Sequence, residues 1–153
     1  MMINKLATHS VTVRREIQAN AEELFDAWLD GEGLAAWMCP GNVTHSVATL
    51  DARPGGSFEI KMHTPEAVLL HHGTYRAIDR PHRLIFTWIS PRTQDTESLV
   101  TVSFHPTRGG TEVVLLHEQL PSETATRAHS MGWRRIVELL SSSFDGRRPA
   151  LNP

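Results

Sequence analysis

Between residues 43 and 118 the chain repeats one pattern: short runs with an apolar residue at every second position, broken by tight-turn signals. Neighbouring side chains of a strand point to opposite faces, so a period of two predicts a strand with one buried face. The segments are 43–50, 58–63, 68–78, 83–89, 99–104 and 111–118. Arg53-Pro54-Gly55-Gly56, Asp79-Arg80-Pro81-His82 and Gly109-Gly110 supply turns between them. Connections this short join antiparallel neighbours, because a parallel pair needs a long crossover. The pattern therefore demands one antiparallel sheet with one apolar face. Pairing 68–78 with 83–89 around residues 79–82 puts Gly73, Tyr75 and Ala77 on the face of Leu84, Phe86 and Trp88. In the last strand Glu112 and Glu118 face water, so Thr111, Val113, Leu115 and His117 face inward.

The flanks supply the cover. Residues 10–17 alternate and read as a strand. Asn20 and Glu23 form a capping-box pattern ahead of Ala21, Leu24, Phe25 and Trp28, which share a helical face. Gly31 and Gly33 break that helix, and a second short helix, 34–38, ends before Pro40. After Pro121, Ser122 caps a long helix whose apolar face carries Ala125, Ala128, Gly132, Trp133, Ile136 and Leu140. A glycine in mid-helix costs up to ~1 kcal/mol against alanine, so Gly132 is expected to let the backbone lie close on the sheet. The order is strand, two short helices, six strands, long helix. This is an α+β domain over residues 10–145, with flexible ends at 1–9 and 146–153. A strongly curved sheet around one helix leaves space between them, a candidate pocket.

Charge and composition restrict the partners. Lys and Arg number 15 against 17 Asp and Glu, and a net charge of -2 argues against nucleic acid. No apolar run approaches the ~18 residues of a membrane span, and the N-terminus lacks a secretory stretch. The expected location is cytoplasmic. The sole cysteine, Cys39, excludes an internal disulfide framework and a multi-cysteine zinc site.

No metal or other cofactor is expected. His71 and His72 are adjacent in a strand and point to opposite faces, as do His117 and Glu118, while His63, His82 and His105 fall near turns. For catalysis the candidates are three: His117 as an inward general base, Tyr75 as its acid or hydrogen-bond donor, and Arg15 by parity with Val11 and Val13. Cys39 has no evident activating base, and the glycine pairs lie in hairpin turns rather than phosphate loops. The stronger pattern is apolar. Trp37, Met38, Phe58, Met62, Tyr75, Phe86, Trp88, Phe104, Met131 and Trp133 are all placed by parity or helical phase where they can face the interior. Most serve as core, and a subset, especially Trp37, Phe58, Tyr75, Phe86, Trp88 and Trp133, is expected to line a pocket for a small hydrophobic or aromatic molecule.

A set of ordered motifs carries a family resemblance. Arg15-x-Ile17-x-Ala19 is followed by Leu24-Phe25, then Trp37-Met38-Cys39-Pro40 and Asp51-x-Arg53-Pro54-Gly55-Gly56-x-Phe58. Gly73-x-Tyr75, Pro81-x-Arg83-Leu84-x-Phe86-Thr87-Trp88, Gly110-Thr111-Glu112-Val113 with His117, and Gly132-Trp133 with Leu139-Leu140 complete it. Together they resemble the START-like (SRPBCC) superfamily, in the branch named after activators of a heat-shock-protein ATPase. The resemblance implies a helix-grip (Bet v-like) fold, a curved seven-stranded antiparallel sheet gripping a C-terminal helix over a cavity. Relatives of this kind include binders of hydrophobic ligands such as lipids, co-chaperones, aromatic-polyketide cyclases and antibiotic-sequestering proteins. The first expectation is a small-ligand binder; a cyclase, hydratase or lyase, or a co-chaperone-like interaction module, are the alternatives. In the namesake activators the matching domain is joined to an N-terminal one for which this chain has no room, which sets a chaperone partner behind a small ligand. Homodimerisation stays open.

Overall fold

The computed structural model describes residues 9–145; the expectations for 1–8 and 146–153 fall outside the described residues. The described residues comprise β1 (Val11–Ile17), α1 (Ala21–Ala27), α2 (Gly31–Trp37), β2 (His45–Leu50), β3 (Ser57–His63), β4 (Val68–Asp79) and β5 (Arg83–Trp88). A single 3-10 turn (Pro91–Thr93), β6 (Ser98–Thr107), β7 (Gly110–Glu118) and α3 (Glu123–Asp145) follow. The His9 carbonyl accepts the Leu120 amide at 3.1 Å.

All seven strands join one antiparallel sheet in the order β1-β7-β6-β5-β4-β3-β2. The hairpins run in sequence from β2 to β7, and β1 returns to pair with β7, Val13 opposite Leu115. The sheet curls into a half-barrel, with α3 packed beside β1, and the expected seven-stranded helix-grip architecture is the one found. Parity holds along β7, where Thr111, Val113, Leu115 and His117 are all buried.

Three local expectations are corrected. The β4–β5 register holds for Tyr75 opposite Phe86 but shifts by one beyond it, where Ala77 faces Ile85 and Ile78 faces Leu84. A bulge at Arg76 takes up the extra residue, so Ala77 leaves the face of Tyr75. Gly31 and Gly33 do not break a helix: they lie within the first turn of α2, where a Cβ on Gly31 would come within 3.3 Å of the Ala48 carbonyl of β2. Gly132 is not pressed on the sheet. A Cβ there would meet only Pro40, at an ordinary 3.6 Å.

The glycine that close packing does require is Gly73. A Cβ there would stand 2.0 Å from the Thr87 carbonyl and 2.9 Å from the Phe58 ring, so only hydrogen lets β4 and β5 cross under that ring.

The short helices fill one end of the half-barrel. The capping box forms as read: the Glu23 amide donates to Asn20 at 2.8 Å, and the Asn20 amide to Glu23 at 3.4 Å. Leu24, Phe25 and Trp28 are then buried, Phe25 edge-on to Phe104 at 5.4 Å. Arg80, in the β4–β5 turn, grips Asp26 through Nε and Nη2 at 2.8 and 2.9 Å and fixes α1 to the sheet. On α2, Leu34 and Trp37 are buried, and Trp37 meets Trp28 edge-on at 4.9 Å. Among the described residues no helix is long and apolar enough to cross a membrane.

Candidate functional site

The strands carry their inward side chains from one end of the half-barrel to the other, and the two ends differ. Leu84, Phe86, Phe58, Ile60 and Tyr75 meet Trp28, Leu34 and Met38 around a void of only about 20 Å³. Further along the same strands Met62, Leu69, His71 and Trp88 lie beyond α1 and face α3 and the 40–43 loop. Here a groove of about 460 Å³ opens between the sheet, the 40–43 loop and α3. The helix contributes Ala128, His129, Met131, Gly132, Trp133, Arg135 and Ile136 to its wall. Small residues, Ala128 and Gly132, alternate there with large ones, so the helix surface is indented where it faces Pro40.

Trp88 stands at the border of the two ends and lines both spaces. Its ring lies 5.1 Å from Trp133 and 5.1 Å from His71. Its indole N–H is buried with no acceptor among the described residues, as is that of Trp28 at the packed end. A buried donor without a partner costs ~1–3 kcal/mol, so nearly all such groups find one.

Three buried histidines surround these tryptophans. Behind the groove, the Trp133 indole donates to Nδ1 of His117 at 2.9 Å, which leaves the ring proton on Nε2. Nε2 is 2.7 Å from the Ser98 hydroxyl, and that hydroxyl donates to the Trp88 carbonyl at 2.6 Å. The chain of donors runs Trp133, His117, Ser98, Trp88 with every position filled. Burial, and then the nearby His129, hold His117 well below the usual histidine range, so the ring is neutral.

His71 and His129 line the groove itself. Nδ1 of His71 donates to the Leu69 carbonyl at 3.2 Å, and Nδ1 of His129 to the Ala125 carbonyl, one helical turn back, at 2.8 Å. Burial pushes His71 down to about 4, helped by His129 and Arg92, and lowers His129 in the same way, helped by Arg92. The Nε2 of His129 makes no hydrogen bond among the described residues. Arg92 reaches the groove from the 3-10 turn, where Ser90 caps its amide at 3.1 Å.

The structure places the expected pocket residues in different settings. Met62, Trp88, Met131 and Trp133 line the groove, Met131 at its mouth with 74% of its surface exposed. Met38, Phe58, Tyr75 and Phe86 surround the small void, and Trp37 and Phe104 are packed core. The ring contacts explain it: Phe58 meets Tyr75, Phe86 and Trp88 within 5.4–6.1 Å, and α1 and α2 seal the rest.

The three proton-transfer candidates are not brought together. His117 has both nitrogens engaged and lies behind Trp133. Tyr75 sits at the packed end, where burial, with the charge of Asp51, raises its phenol above the usual range. Arg15 is exposed on the far side of α3, in a separate cleft with Arg14, Arg134 and Glu138. Its Cα pairs with that of inward-facing Val113, but at the sheet edge beside β1 the side chain is free to turn to solvent. Among the described residues no three His, Cys, Asp or Glu converge as a metal site.

Two groove residues escaped the sequence reading although signals for them exist. His71 shares parity with Gly73 and Tyr75, and His129 lies four residues from both Ala125 and Trp133 on the buried stripe of α3. Arg92 was announced by Ser90-Pro91, a cap followed by proline at the first position of a turn.

A family model, activator of Hsp90 ATPase homolog 1-like protein, matches residues 18–145. The chain belongs to that family. Solved structures agree in fold. The AHSA1-like chain resembles a protein from Rhodobacter sphaeroides (TM-score 0.78, 22% identity, 90% of this chain and 93% of that one). It resembles one from Chromobacterium violaceum as closely (0.77, 21%, 88% and 96%). A third, an AHSA1-like protein from Aeromonas hydrophila, aligns at 0.74 with 21% identity over 94% and 97%. No curated protein matches the chain significantly. At these identities the shared property is the helix-grip fold, and the groove must be argued from its own residues.

Proposed function

We propose that this AHSA1-like domain binds a small, largely apolar molecule in the groove between α3, the 40–43 loop and the ends of β3, β4 and β5. The observation that carries the reading is the contrast in packing. One end of the sheet closes to a void of about 20 Å³, whereas the other leaves about 460 Å³, in the range of small-molecule sites. Its wall is mostly apolar, with a few polar side chains that orient a ligand: His71, His129 and, at the rim, Arg92. The reading takes a small hydrophobic or aromatic ligand as the partner. It takes the cytoplasm as the compartment, in keeping with a free Cys39.

The test is titration with methyl 2-naphthoate, a neutral aromatic probe, followed by tryptophan fluorescence, since Trp88 and Trp133 line the groove. Saturable quenching is expected. Gly132→Leu, which projects a side chain into the groove from a helix position that tolerates one, should abolish it without lowering the melting temperature. No binding, or binding that Gly132→Leu leaves intact, overturns the reading.

A further inference from the structure

We infer that the groove is built for an amphiphilic anion, an apolar body carrying one carboxylate-type group that Arg92 pairs at the rim; the inference rests on the groove being a binding site. The charges are one-sided. Arg92 and Arg135 line the groove and among the described residues no aspartate or glutamate does, although acidic residues outnumber lysine and arginine in the whole chain. Arg135 is already paired, with Glu138 at 3.0 Å one turn along α3. Arg92 has no ion pair among the described residues, so its charge has no fixed counterpart.

The remaining polar groups suit an oxyanion better than a cation. His71 and His129 lie close enough to Arg92 for its charge to disfavour their protonated forms. An anion beside Arg92 cancels that repulsion, and a cation would add to it. The groups facing His129 are Arg92, His71 and His117, and those facing His71 are Arg92 and His129; no fixed negative charge stands among them. A ligand supplies the negative charge that the groove lacks. Trp133, Met62 and Ile136 offer its apolar body a dry wall.

The experiment compares 2-naphthoate with its uncharged methyl ester on the whole protein, wild type and Arg92→Met. Methionine keeps the stem of the arginine and removes the charge, and the exposed position leaves folding untouched, checked by an unchanged melting temperature. The acid should bind the wild type about tenfold more tightly than the ester, the scale of one charge-assisted contact. Arg92→Met should bring the two probes to similar affinity while the ester's dissociation constant stays unchanged. Equal binding of acid and ester by the wild type, or a preference that survives Arg92→Met, overturns the anion assignment and leaves the groove standing. Failure of both probes to bind overturns the groove and the anion together.

Discussion

The two ends of the sheet share strands, curvature and residue types, yet one is closed and the other open. Phe58 and Met62 are four residues apart on β3, as are Tyr75 and His71 on β4, and each pair faces the same side. Phe58 and Tyr75 lie under α1 and α2, whose Trp28, Leu34 and Met38 complete a tight core. Met62 and His71 lie under α3 and the 40–43 loop, where Ala128 and Gly132 are too small to fill the space. The difference teaches that inward orientation makes a residue available, and the covering element decides whether it becomes core or wall.

The largest effect should come from spoiling the packed end at its tightest point. Gly73→Ala forces a Cβ to within 2.0 Å of the Thr87 carbonyl, a backbone atom that cannot swing away. A loss above about 4 kcal/mol, or no soluble protein, is expected, and urea unfolding measures it. Phe58→Ala should follow, at about 3–4 kcal/mol, since three aromatic neighbours and the small void leave little room for collapse. An equal cost for Met131→Ala would break the contrast, because Met131 is largely exposed.

Acid should act through the open end. His71, His117 and His129 all have lowered affinities for protons in the folded protein, His71 down to about 4 from 6.5. Between those values the unfolded chain takes up the proton and the folded chain does not, so stability rises with pH across that window and is lost on acidification. His71 alone accounts for about 3 kcal/mol by pH 4, with the other two in the same direction. Urea midpoints at pH 7 and pH 5 should differ clearly, and less in His71→Asn; a flat profile would show that the histidines are not held neutral.

The smallest effect is of opposite sign. Gly132→Ala adds a methyl that meets only Pro40 at 3.6 Å, so it should stabilise the helix by about 0.5–1 kcal/mol. A thermal melt decides it. Destabilisation would mean that the helix is pressed on the sheet there after all.

The sequence was readable where local periodicity determines the outcome. Alternation foretold all seven strands and the inward parity of Tyr75, Thr111 and His117, and the capping pattern foretold α1. The bulge at Arg76 was not readable, because it is decided between strands rather than along one. Nor was the division of the ten residues expected to face inward into four at the groove, Met131 among them largely exposed, and six in packed core. That depends on where two short helices come to rest, which no periodicity encodes. His129 was legible in the phase of α3 and was passed over because the stripe was read for apolar residues only.

The central claim, that the groove and not the packed end receives a ligand, has a direct probe in the methionine methyl groups. Met62 and Met131 line the groove, whereas Met38 faces the small void under α2. With ¹³C-methyl-labelled methionine, titration with 2-naphthoate should shift the Met62 and Met131 resonances and leave that of Met38 in place. A shift at Met38 with Met62 and Met131 unmoved would contradict the account.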